Sequence, residues 1–160
     1  MLVVVDTNVF VSAFWSKKGN PAKILGLIQN RLITPCYDYR ILTEYSEILS
    51  RKKFGFETWE VSDIISQIKH DGMSIVAKSI DIPFTDLSDK KFYEVAKHCG
   101  AVLITGNLRH FPMDGTAVSP AEFLEKFDFG YSVQPLSEGG GDDGGVGDGL
   151  ARPSNRGNSI

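Results

Sequence analysis

Residues 2–5, Leu2-Val3-Val4-Val5, form an unbroken apolar run that stops at Asp6. A strand with one solvated face alternates apolar and polar residues; a strand without alternation has both faces covered. The same signature returns at Ala101-Val102-Leu103-Ile104-Thr105. Shorter strand signals lie at 32–36, 74–77 and 117–118. Helical patterns separate them. Ile41, Leu42, Tyr45, Ile48 and Leu49 share one face of a helix read over 38–53, and Val61, Ile64, Ile65 and Ile68 share a face over 57–70. Further helices are read over 8–14, 20–30, 86–98 and 120–127, with Gly100 stopping the fifth and Ser119 capping the last. Fully apolar strands alternating with amphipathic helices predict a three-layer α/β/α sandwich around a central parallel sheet.

In such folds, sites form beyond the carboxyl ends of the strands. Asp6-Thr7-Asn8 follows the first strand, and Thr105-Gly106-Asn107-Leu108-Arg109-His110 follows the strand over 101–105. Asp6 is either the cap of the next helix or a carboxylate that needs a partner or a metal, because burying a lone charge is expensive. Glu44 lies between Leu42 and Tyr45, nearer the packed side of its helix, although a solvated surface is the commoner fate of a glutamate. Asp86 and Asp89 open the fifth helix, where acids favour the helix dipole. Asp86 reads as a cap, and Asp89 as a group able to reach inward. Asp6, Glu44 and Asp89 have no His or Cys partner at ligand spacing. Oxygen donors alone select hard cations, Mg²⁺ or Mn²⁺, and a carboxylate cluster with such a cation suits phosphoryl chemistry.

Four blocks then resemble one family, the PIN-domain ribonucleases: Asp6-Thr7-Asn8-Val9, Ile41-Leu42-Thr43-Glu44-Tyr45, Asp86-Leu87-Ser88-Asp89 with Phe92, Glu94 and Ala96, and Leu103-Ile104-Thr105-Gly106-Asn107 with Arg109-His110-Phe111-Pro112. The last block is similar to the VapC-like branch, the toxins of toxin–antitoxin systems. The resemblance spans about residues 1–127. It implies a PIN-like fold and Mg²⁺- or Mn²⁺-dependent endonucleolytic cleavage of single-stranded RNA. It carries Asp6, Glu44 and Asp89 over as catalytic, metal-binding acids. Many PIN domains have a fourth acid where this chain has Asn107, whose amide oxygen is a neutral metal ligand. A cognate antitoxin protein and a homodimer are expectations of the same resemblance.

Thr7, Asn8, Thr105, Asn107, Arg109 and His110 are the candidate substrate contacts, with His110 read as structural or phosphate-binding rather than as a general base. Glu94 reads as a surface or pairing residue. Arg51-Lys52-Lys53 is read as a helix-end cluster ahead of an RNA contact. Trp15 and Trp59 are read as core or interface residues ahead of base-stacking ones. Two other functions are weighed. A PIN domain that binds RNA or a protein without cleaving is one. A haloacid-dehalogenase-type phosphatase is the other, but it needs a second Asp two residues after the first, where this chain has Asn8.

Charge places the acids in context. The chain has 160 residues and a formal net charge of −3. Residues 128–160 hold five acids, two bases and nine of the sixteen glycines, so residues 1–127 are balanced at fifteen of each sign. The body over 1–127, which the resemblance makes a PIN-like nuclease domain, therefore has no basic coat, and 128–160 reads as a Gly/Asp-rich flexible tail. No apolar run reaches the ~18 residues of a membrane span. The amino terminus lacks the basic region of a signal peptide. Cys36 and Cys99 read as buried thiols in a reducing compartment, so a cytoplasmic location is expected.

Overall fold

The computed structural model describes residues 1–133, with side chains through 128. Five parallel strands are ordered β3-β2-β1-β4-β5, where β1 is Leu2–Val5, β2 Thr34–Tyr37, β3 Met73–Ser74, β4 Val102–Ile104 and β5 Ala117–Val118. Six helices complete the α/β fold: α1 (Thr7–Trp15), α2 (Asn20–Gln29), α3 (Tyr39–Leu49), α4 (Thr58–Asp71), α5 (Leu87–Cys99) and α6 (Pro120–Val133). Val3, Val4 and Val5 are each 0% exposed. Consecutive strand residues point to opposite faces, so helices cover both sides of β1.

β1 pairs with β4 with Val5 opposite Ile104, and the Asp6 amide extends the ladder by donating to the Ile104 carbonyl at 2.9 Å. This register places Asp6 and Thr105 side by side at the carboxyl end of the sheet. The chain leaves β1 toward β2 and returns to β4 on the other flank, so this is the point where strand order reverses. The Tyr45 hydroxyl donates to the Val5 carbonyl and ties α3 to the same point.

Several boundaries differ from the sequence reading. The helix expected over 38–53 ends at Leu49, and Lys52–Phe54 forms a separate 3-10 turn closed by Gly55 at φ 63°. The strand expected over 74–77 is only Met73–Ser74. The chain then runs without regular structure to α5, packing Ile75, Ala77, Ile80, Ile82 and Phe84 against the core. This strap alternates apolar residues like a strand, but its inward groups meet the core instead of a ladder. α6 continues to Val133, past the expected end at 127. The rest of the expected tail lies outside the described residues. Among the described residues no helix is long and apolar enough to cross a membrane.

Gly100 has φ 62° and stops α5 in the left-handed conformation, as its position after the apolar face predicts. Gly72 is required for space: a Cβ there would lie 2.4 Å from the Ile68 carbonyl oxygen and 2.7 Å from that of Pro35. Cys36 is buried and Cys99 half-buried, and both are free thiols. Burial, reinforced by Cys99 beside it, pushes the Cys36 thiol up to about 12.

Candidate active site

A cleft of about 460 Å³ opens where β1 and β4 end, and Asp6, Glu44, Asp86, Asp89, Asn107 and His110 all line it. Asp6 stands at the N-cap position of α1, yet its side chain caps nothing. Its Oδ2 accepts from Thr105 Oγ1 at 2.8 Å and from Asn8 Nδ2 at 3.2 Å. Asp6 is 5% exposed. Burial raises its carboxyl to about 6, with Asp89 and Glu44 adding to the rise and the Thr105 hydrogen bond opposing it.

The polar residues around Asp6 form a frame. Thr105 is 0% exposed, and its hydroxyl also accepts from the Asn107 amide at 3.0 Å. Asn8 Oδ1 accepts from the Gly106 amide at 3.1 Å, so one side chain clamps the start of α1 to the loop after β4. The buried Thr7 hydroxyl donates to Glu44 Oε2. Thr7, Asn8 and Thr105, read from the sequence as substrate contacts, are thus engaged in holding Asp6 and Glu44. Asn107 and His110 face the cleft. Arg109 does not; it lines an adjoining cleft with Gly106 and Ser119, and Asn107 and His110 border both.

Asp89 projects from the first turn of α5 and pairs with His110 Nδ1 at 2.9 Å. Burial raises the Asp89 carboxyl, His110 opposes this, and Asp86 adds to it. Asp86 caps α5 by accepting from the Ser88 amide at 2.8 Å, and its hydrogen bonds from Ser88 hold its carboxyl low. Glu94 is 2% exposed and pairs with Arg40 at 3.2 Å while accepting from the Ile80 amide at 3.0 Å. It is a structural pairing residue.

Lys91 is the group the sequence reading did not assign. Its ammonium lies 2.9 Å from Glu44 Oε1 and also donates to the Ser88 carbonyl. A lysine among the apolar positions Phe92 and Val95 needs a counter-charge, which was the available signal; nothing in the spacing named Glu44 as that charge. Among the described residues no three His, Cys, Asp or Glu side chains converge closely enough to grip a metal. The donor set nevertheless suits a hard cation: all oxygen, with Asp6 and Asp89 both raised by burial and by neighbouring carboxylates. Glu44 and Asp89 are meanwhile occupied by Lys91 and His110.

The PIN domain family model matches residues 2–109, which contain every residue of this site except His110, and Ser119 of the adjoining cleft. The chain belongs to the PIN domain family. PIN domains are in general nucleases. An uncharacterized protein of the archaeon Methanocaldococcus jannaschii is 31% identical over 142 residues, covering 79% of this PIN-domain chain and 91% of the relative. No solved structure matches the chain.

Proposed function

We propose that this PIN-domain protein is an endoribonuclease that cleaves single-stranded RNA with Mg²⁺ or Mn²⁺. The supporting observation is that acids from three separate elements, the end of β1, α3 and the start of α5, line one cleft with Asp6 raised to about 6 by burial and by the other two. Such a cluster repels phosphate unless a cation reverses its sign. Asp6, Glu44 and Asp89 would hold the metal, with Asn107 as a neutral fourth ligand. The chemistry a bound divalent cation supplies is polarisation of a phosphoryl oxygen and a water acidic enough to attack at neutral pH.

The protein's own groups prepare this. Thr105 and Asn8 fix the Asp6 carboxylate, and Thr7 fixes Glu44. Lys91 balances Glu44, and His110 orients Asp89 and offers a donor to a phosphate. The likeness of residues 103–112 to the VapC-like branch supports a cytoplasmic toxin with a cognate antitoxin and a homodimeric form. Purified protein offered single-stranded RNA and a small phosphomonoester together tests the reading. Internal cleavage of the RNA, with the ester intact, is expected. Ester hydrolysis with intact RNA would instead indicate a phosphatase, and retention without turnover a binding domain.

A further inference from the structure

Trp15 and Phe54 wall the same cleft as the acids. Trp15, the last residue of α1, is 65% exposed. Its ring meets Phe54 edgewise, with centroids 5.3 Å apart and planes at 74°. Phe54 stacks on Phe56 at 5.3 Å with planes 7° apart, and Phe56 lies 5.2 Å from Phe14. The indole is therefore backed by a chain of rings that reaches the core, while most of its own surface is uncovered. Neither the metal chemistry nor the core requires such a group there.

The charge beside it is positive. Arg51, Lys52 and Lys53 are exposed and lead directly into Phe54, and Lys53 Nζ lies 5.0 Å from the centre of the Phe54 ring. α3 stops at Leu49, so these cations follow its last turn, and Lys52 and Lys53 lie in the short 3-10 turn Lys52–Phe54 instead. None of the three forms an ion pair among the described residues. A fixed exposed aromatic beside cations and a phosphoryl-transfer cleft has the make-up of a surface that stacks unpaired bases and tracks their phosphates.

We infer that Trp15 and Phe54 form a stacking platform for a base of single-stranded RNA, next to the acid cleft, with Arg51, Lys52 and Lys53 meeting the flanking phosphates. This rests on the ribonuclease reading and adds a substrate subsite to it. The platform takes only unpaired bases, since those of a duplex already stack on one another, and it tolerates any base because each has a π-face.

The test uses the full chain carrying Asp6→Asn to suppress cleavage, in Mg²⁺ buffer, with a labelled oligouridylate. The chain has two tryptophans, so adding Trp59→Phe leaves Trp15 as the only indole. Its emission is expected to quench saturably, at the same midpoint as the oligonucleotide anisotropy. Trp15→Ala is expected to weaken binding roughly tenfold, and Trp59→Ala to leave it unchanged. Replacing Lys52 and Lys53 together by Ala is expected to flatten the salt dependence by about 1.4 in log–log slope. If the oligonucleotide binds with no quench and Trp15→Ala binds as tightly, the platform is overturned and the ribonuclease reading stands. If this chain does not retain the oligonucleotide and the unsubstituted protein neither retains nor cleaves it, both fall. If Trp15→Ala instead turns a dimer into a monomer with RNA affinity intact, the rings form an interface between copies and the platform is overturned.

Discussion

Asp6 combines burial, repulsion and function in one carboxyl group. Its acidity in the folded chain is shifted from 3.8 to about 6, so between those values the folded form binds a proton more tightly than the unfolded form. This contribution to stability is present at low pH and is lost as pH rises through 6. Asp6→Asn, which keeps an oxygen for Thr105, is therefore expected to stabilise the protein by about 1–3 kcal/mol near neutral pH and by much less at pH 4. Urea melts at the two pH values check this; equal effects at both would contradict the burial explanation. Mn²⁺ binding, which competes with the proton on Asp6, is expected to tighten as pH rises to about 6 and to level off above it, read by calorimetry. Lys91 has the opposite sign of influence. Lys91→Gln frees Glu44 of its counter-charge and is expected to tighten Mn²⁺ binding several-fold by calorimetry, while unchanged affinity would mean that Glu44 is not a ligand. Asp6 could be singled out in the sequence because an acid ends an apolar strand. The engaged roles of Thr7, Asn8 and Thr105 could not, because a threonine or asparagine at a sheet rim looks the same whether it faces substrate or braces a neighbour.

At the scale of elements, β1, β4 and the cores of α1, α2, α4 and α5 follow from apolar runs and periodicity, and Gly100 marks the end of α5. The end of α3 was hidden because Arg51, Lys52 and Lys53 are good helix formers, so propensity alone continues the helix. The strap after β3 was hidden because its alternation imitates a strand and its anchor is distant: Glu94 on α5 takes the Ile80 amide and pairs with Arg40, which also holds Asp38 at 2.7 Å. Glu94→Ala removes both partners from a buried position. It is expected to cost about 3 kcal/mol and to loosen the strap that leads into Asp86 and Asp89, read as lost amide protection at Ile80. Gly72→Ala forces a Cβ into two carbonyl oxygens and is expected to destabilise by about 1–3 kcal/mol in a thermal melt. A wild-type melting temperature in either variant would contradict these packing assignments.

At the scale of the whole molecule, the proposed function asks a neutral body to receive a polyanion. Residues 1–127 balance fifteen acids against fifteen bases, so attraction to RNA cannot come from overall charge. On the proposed reading it comes from a cation at the acid cleft and from local bases such as Arg51, Lys52 and Lys53. The net charge of −3 resides in residues 128–160, which begin within α6. A chain ending at Val133 is expected to keep both its melting temperature and its cleavage rate; loss of cleavage with an unchanged melt would give the removed segment a role in the reaction. The central claim is that Asp6 and its partners would hold a divalent cation for cleavage of the strand. Its most direct measurement is cleavage of a labelled single-stranded RNA with Mn²⁺, with and without chelator, for the native protein and Asp6→Asn. Internal cleavage that disappears with chelator and in Asp6→Asn is predicted. Cleavage that persists undiminished in Asp6→Asn would contradict the account.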